Sequence, residues 1–183
     1  MGRAWHERLH CVRGDLTHET VDAIVNAANS RLAGGGGVDG AIHAAAGPGL
    51  LEECGRLHPG GCPVGESRLT AGHGLAAHHV IHTVGPIWAG GGAGEAERLH
   101  QAYASSLELA AREGFETISY PAISTGVYRY PREAAAEISL AALGEGLERH
   151  PGIRLVRIVL FSDELHATFE RARERRMASH PDG

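Results

Sequence analysis

Residues 26 to 43 concentrate groups that can grip an anion and cut a bond beside it. Asn26 and Asn29 stand in "NAAN". Four successive glycines follow, Gly34, Gly35, Gly36 and Gly37, then Val38, Asp39 and, one helical turn later, His43. Glycine lets backbone N–H groups come close to a ligand and permits positive φ. A glycine loop feeding a helix N-terminus adds the positive end of the helix dipole, a setting suited to phosphate. No Lys-Ser or Lys-Thr follows, so this is not a nucleoside-triphosphate loop. The spaced glycines of dinucleotide oxidoreductases are missing too. A floppy surface loop is the competing reading of glycine content alone. Asparagine in a strand is unfavourable without a partner. One of the two is therefore expected to tie down the loop, and one to meet sugar hydroxyls.

A second loop, "STGVY" (Ser124, Thr125, Gly126, Val127, Tyr128), offers small residues, hydroxyl donors and then an aromatic. Two such loops at one sheet edge could hold a diphosphate from both sides. Tyr128 either stacks on a ring beyond it or serves ordinary packing. Asp15, in "RGDLT", reads as a turn or cap aspartate, or as a carboxylate accepting from the amino group of a base. Cys54, His58 and Cys62 in "CGRLHPGGC" raise a zinc reading, but structural zinc favours closer cysteine pairs and four ligands. No metal and no cofactor is expected.

The surrounding elements alternate. Strands are expected at Leu9–Gly14, Ala23–Ala28, Ser67–Gly72, His78–Pro86, Thr117–Ile123 and Arg154–Phe161. Helices are expected at Val38–Ala46, Leu50–Leu57, Glu95–Arg112, from Pro131 to about Arg149, and after a cap at Ser162 or Asp163. Gly47–Gly49 should break the first two helices apart, and Ala89–Glu95 reads as a mobile loop. Such alternation implies an α/β fold with a largely parallel sheet covered on both faces. Both glycine-bearing loops and the end of "RLVRIVLF" then fall where ligands bind such sheets.

The 183 residues carry 17 Lys and Arg against 22 Asp and Glu, a net charge of −5. A protein that coats nucleic acid needs a basic face, so nucleic acid is not an expected partner. Three cysteines, Cys11, Cys54 and Cys62, make no disulfide framework. No apolar run has the length of a membrane span, and "MGRAWHERLH" lacks the apolar centre of a secretory signal. The expectation is a soluble cytoplasmic protein with no membrane partner.

"GDLTHETVDAIVNAANSRLAGGGGVDGAIHAAAGP", "HHVIHTVGPIW" and "YPAISTGVYRYPREAAAEI" together resemble the macrodomain family, in its MacroD-type branch of O-acetyl-ADP-ribose deacetylases and ADP-ribosyl hydrolases. The likeness runs from about Leu9 to Phe169. It implies a three-layer α/β/α fold around a mixed, mostly parallel six-stranded sheet. It also implies a single domain over 1–183, with a core of about 9–177 and a loose tail at 178–183. By resemblance Asp15 binds the adenine amino group with Leu16 beside it, and Asn29 lies near the distal ribose. Gly34 to Val38 form the first phosphate loop, Asp39 is the catalytic aspartate, and His43 accompanies it. Ser124 to Tyr128 form the second phosphate loop, with Tyr128 over the distal ribose, and Phe161 packs on adenine. The chain departs from the family at Arg129, where glycine is usual, and at Val64 and Glu66.

The resemblance implies hydrolysis of an acetyl ester on ADP-ribose, or of an ester joining ADP-ribose to an acidic protein side chain. Asp39 would activate the water, with Asn29 orienting the ribose and no serine or cysteine nucleophile. Expected partners are ADP-ribose, O-acetyl-ADP-ribose or mono-ADP-ribosylated proteins, bound by a monomer. The alternatives are an ADP-ribose reader without catalysis and a regulator of an RNA-processing nuclease.

Overall fold

The computed structural model describes residues 3–180. Six strands, β1 (Leu9–Arg13), β2 (Ala23–Ala27), β3 (Ser67–Ala71), β4 (His79–Thr83), β5 (Thr117–Tyr120) and β6 (Leu155–Leu160), form one sheet in the order β1-β6-β5-β2-β4-β3. Every neighbouring pair is parallel except β3–β4, so the sheet is mixed with one antiparallel edge strand. The helices are α1 (Trp5–Arg8), α2 (Gly37–Ala46), α3 (Pro48–Leu57), α4 (Glu95–Arg112), α5 (Arg132–Arg149) and α6 (Asp163–Ser179). None is long and apolar enough to cross a membrane, among the described residues.

Successive strand residues point to opposite faces, and here both faces are buried, as a parallel sheet requires. Ala23, Val25, Ile81, Ile158 and Leu160 join the larger core with α1, α4, α5 and α6. The alternate residues Ile24, Val80 and Val159 join the smaller core with Ile42 of α2 and Leu50 of α3. The same alternation turns Asn26 and His82 toward α2 and α3, which decides the chemistry described below.

Several boundaries differ from expectation. Helix α1 escaped notice because one turn leaves no periodicity to read. Trp5 is nevertheless fully buried, and Arg8 donates to the carbonyls of Leu147 at 2.6 Å and Ile153 at 2.9 Å. The core therefore begins before residue 9. At the other end α6 continues through Ala178 and Ser179, expected to be loose, with His180 N–H donating to Arg176 O at 3.1 Å. Residues 181–183 of that tail lie outside the described residues. Gly47 alone separates α2 from α3, because Pro48 occupies the first turn of α3, where its missing N–H costs nothing. Ser162, not Asp163, caps α6, accepting from Leu165 N–H at 3.2 Å.

The segment Ala89–Glu95, expected to be mobile, is folded around a carboxylate. Glu95 is buried, and it accepts from the N–H groups of Ala89 at 3.1 Å, Gly91 at 2.7 Å and Ala93 at 2.6 Å. These hydrogen bonds, that from Gly91 foremost, hold its carboxyl below the usual carboxylate range. The glycines permit the turn; the acid fixes it.

Candidate active site

Strands β2, β4, β5 and β6 end on one side of the sheet, and the sequence-selected loops leave from there. The three most exposed large apolar side chains of the described chain all follow such ends: Ile87 after β4 (65% exposed), Val127 after β5 (86%) and Phe161 after β6 (69%). Each lies in a loop beyond the C-terminal ends of the parallel strands, where ligands bind sheets of this kind. Ile87 had not been singled out from the sequence; its only signal was an isoleucine after a Gly-Pro strand end.

The first loop is a built structure. Gly34 and Gly37 have φ of +73° and +57°, conformations that side chains resist. Gly36 takes the cap position of α2, which carries no side-chain cap, leaving first-turn N–H groups for a ligand. Asn29 donates from Nδ2 to Gly34 O at 2.7 Å, and its Oδ1 accepts from the N–H groups of Arg31 and Ala33, both at 3.2 Å. Of the two asparagines, Asn29 is thus the one that ties down the loop. Its hydrogen bonds run inside the loop that bears the glycines.

Asp39 lies in the first turn of α2 and is 6% exposed. Its Oδ1 accepts from Asn26 Nδ2 at 2.8 Å, and His43 Nε2 comes within 3.3 Å of the same oxygen. Its Oδ2 points elsewhere: a methyl built on Gly35 would stand 3.2 Å from Oδ2 and 3.7 Å from Asn29 Nδ2. One carboxylate oxygen is therefore anchored from below, and the other faces the glycine loop. Asn26 was read from the sequence only as one of a pair. Its partner His82 was not singled out at all, because a lone histidine in an apolar strand gives no signal.

The second loop starts from a rigid footing. The buried Tyr103 hydroxyl donates to Pro121 O at 3.3 Å and accepts from Ile123 N–H at 3.0 Å. Ser124 follows with φ of +67°, is 6% exposed, and has no partner for its Oγ among the described residues. Strained backbone at a non-glycine residue persists only where the surroundings enforce it. Here Tyr130 N–H donates to Ser124 O at 2.9 Å, and Arg129 N–H to Gly126 O at 3.0 Å. Gly85, beyond the end of β4, presses on this loop, where a Cβ would collide with Ser124 Oγ. Thr125 turns its hydroxyl inward to Ala122 O at 2.8 Å. Tyr128 is half-buried and accepts from Trp88 N–H at 2.8 Å through its carbonyl. Arg129 is exposed with φ of +59°, which is why glycine suits that position.

At the far side Asp15 precedes the 3-10 turn Leu16–His18. Its Oδ1 accepts from Thr17 Oγ1 at 2.7 Å and Thr17 N–H at 2.9 Å; these bonds hold the carboxyl below its ordinary range. His18 lies 3.8 Å from Oδ2. Leu16 is buried in the smaller core. The cap reading and the base-binding reading are compatible, since the cap uses Oδ1 and leaves Oδ2.

The zinc reading finds no common site. His58 Nε2 bonds Leu69 O at 2.9 Å, Cys62 turns to Pro63 O, and Cys54 Sγ lies 3.7 Å from His82 Nε2. Burial pushes the Cys54 and Cys62 thiols up to about 11, so neither is an activated nucleophile at neutral pH.

A mixed, mostly parallel six-stranded sheet with two amide-rich loops over a buried, half-anchored aspartate is the macrodomain architecture. The chain belongs to this family: the Macro domain family model matches residues 25–139. It is 51% identical over 168 residues to an O-acetyl-ADP-ribose deacetylase of Citrobacter rodentium, covering 91% of this chain and 95% of the relative. It is 49% identical over 166 residues to an O-acetyl-ADP-ribose deacetylase of Escherichia coli (strain K12), covering 90% and 94%. Among solved structures, the Oceanobacillus iheyensis macrodomain with ADP superposes with a TM-score of 0.90 at 40% identity, over 98% of this chain and 97% of that one. A Trypanosoma brucei macrodomain in complex with ADP-ribose gives 0.84 at 42% identity, over 90% and 68%.

Proposed function

We propose that this protein is an ADP-ribose-binding hydrolase that deacetylates O-acetyl-ADP-ribose or removes mono-ADP-ribose from acidic protein side chains, acting as a monomer. The carrying observation is Asp39: Oδ1 is fixed by Asn26 and neighboured by His43, while Oδ2 faces the glycine loop. A reader module needs a pocket but no anchored carboxylate. The names of relatives at about half identity support the acetyl ester as one substrate.

The chemistry then follows from placement. The N–H groups at the start of α2 and in the Ser124–Tyr128 loop donate to the two phosphates. Asp15 Oδ2 accepts from the adenine amino group, and Phe161 offers a ring face. Asn29 keeps the loop over the distal ribose. A water hydrogen-bonded to Asp39 Oδ2 attacks the acyl carbon as its proton moves toward that carboxylate. The ester C–O bond breaks, the proton passes to the departing ribose oxygen, and acetate or the freed protein carboxylate leaves.

The test is deacetylation of O-acetyl-ADP-ribose by wild type and by Asp39→Ala, beside calorimetric titration with ADP-ribose. Wild-type turnover lost in the variant with affinity retained supports the reading. Binding without any turnover on acetyl or protein-linked substrates overturns it in favour of a reader.

A further inference from the structure

Beneath Asp39 lies a polar chain closed to solvent. Strands β2 and β4 pair in parallel with Asn26 opposite His82. Both side chains are fully buried on the α2–α3 face. The Asn26 amide nitrogen has two hydrogens. One reaches Asp39 Oδ1 at 2.8 Å and the other His82 Nδ1 at 3.1 Å. Nδ1 accepts only when it carries no proton, so the ring proton sits on Nε2, which lies 2.9 Å from Thr70 Oγ1. Burial drives the ring's pKa down to about 3, which keeps it neutral.

The amide orientation of Asn26 is not free. Turned over, its oxygen would face the Asp39 carboxylate, and neither Asp39 Oδ1 nor His82 Nδ1 would keep its amide donor. In the observed orientation Oδ1 has no partner among the described residues. An orphaned buried acceptor is costly, and it persists here because the alternative sets the amide oxygen against a carboxylate and takes both donors from their acceptors. His82 Nδ1 is the acceptor of the second donor.

We infer that His82 is a positioning residue for hydrolysis: its unprotonated Nδ1 fixes the Asn26 amide, and Asn26 holds Asp39 Oδ1 so that Oδ2 faces the ligand loop. The inference rests on the hydrolase reading above. His82 reaches the reacting atoms only through Asn26.

Two near-isosteres separate this role from core filling. His82→Asn places an acceptor oxygen where Nδ1 stands and gives up the bond to Thr70. His82→Gln reaches toward Thr70 and gives up the acceptor. Both remove the ring and both disturb packing. With O-acetyl-ADP-ribose, His82→Gln should lose about tenfold or more in kcat, the expected effect of one misdirected buried hydrogen bond. KM and the ADP-ribose Kd should change little. His82→Asn should recover most of the lost kcat at a comparable Tm. Equal kcat in the two variants, or kcat that merely follows Tm, overturns the inference.

If neither variant folds, the imidazole nitrogen spectrum of the wild type decides. A protonated Nε2 with bare Nδ1 at neutral pH supports it, and a protonated Nδ1 overturns it. A wild type without turnover defeats the hydrolase reading instead, and the nitrogen spectrum then judges the hydrogen-bond chain alone.

Discussion

His43 Nε2 stands 3.3 Å from Asp39 Oδ1, the oxygen that Asn26 already holds at 2.8 Å. Both contacts converge on that oxygen, the Asn26 hydrogen bond the shorter of them, and neither occupies Oδ2. The consequence is an unequal pair of variants. Asp39→Ala removes the group that handles the water and should lower kcat on O-acetyl-ADP-ribose about 100-fold or more. His43→Phe leaves the Asn26 hydrogen bond in place and removes only a 3.3 Å contact, so it should lower kcat by about tenfold at most. ADP-ribose affinity by calorimetry should change little in either. Equal losses would place His43 at the reacting atoms.

Gly85 offers a test of the second loop from outside it. A methyl there collides with Ser124 Oγ and with Ile123, both held from behind by Tyr103 and Tyr130. Overpacking of this kind costs about 1–3 kcal/mol. Gly85→Ala should lower Tm and also weaken ADP-ribose binding about tenfold or more, because the strained Ser124 amide is displaced. A Tm loss with unchanged affinity would mean that the loop does not grip the ligand.

Phe161 behaves oppositely. At 69% exposure its ring contributes little to the core. An aromatic face stacked on a base is worth about 1–3 kcal/mol by alanine substitution. Phe161→Ala should therefore weaken ADP-ribose binding about tenfold and leave Tm almost unmoved. Calorimetry and thermal unfolding of one preparation measure both. The ligand ribose 5-phosphate, which lacks the base, should bind the two proteins alike.

Arg129 carries a backbone cost that glycine would relieve. A side chain at φ of +59° is strained by roughly 1–2 kcal/mol. Glycine also frees the unfolded chain, which takes back about 0.4–1 kcal/mol. Strain is the larger effect, so Arg129→Gly should raise stability by roughly 0.5–1 kcal/mol. Urea unfolding checks the sign.

The legible parts of this protein were those with a period or a motif. The apolar run of β2, the strand-length runs of β4 and β6 and the helical spacing of α4 announced themselves. So did the two loops, because glycines and hydroxyls at strand ends have few other uses. What escaped was long-range. Glu95 looked like the first residue of a helix, yet its carboxylate organises six residues of preceding backbone. His82 looked like a polar interruption, yet strand pairing sets it opposite Asn26, 56 residues away in sequence. The exposed rim of Ile87, Val127 and Phe161 joins three strand ends that only the sheet order brings together. The division of labour between Asn26 and Asn29 turned on where β2 ends: Asn26 lies inside the strand on the face toward α2, Asn29 in the loop beyond it, and no spacing states that.

His82 also predicts how stability responds to acid. In the unfolded chain its imidazole titrates near 6.5; in the fold, burial lowers that to about 3, with His43 and His58 adding to the drop and Glu53 opposing it. Between these values the unfolded state binds a proton that the folded state refuses. Stability is thus fully present above 6.5 and declines as pH falls toward 3. The slope from this one group is at most about 1.4 kcal/mol per pH unit. Asp15, Asp22, Glu53 and Glu95, all held below their ordinary ranges, lose stability in the same direction at more acid pH. The wild-type curve alone therefore cannot assign the effect. The difference between wild type and His82→Gln can: urea unfolding at a series of pH values should show the two curves converging as pH drops below 6.5, because glutamine has no proton to refuse. Parallel curves would mean that His82 titrates normally, in which case Asn26 loses its fixed acceptor as soon as the ring charges.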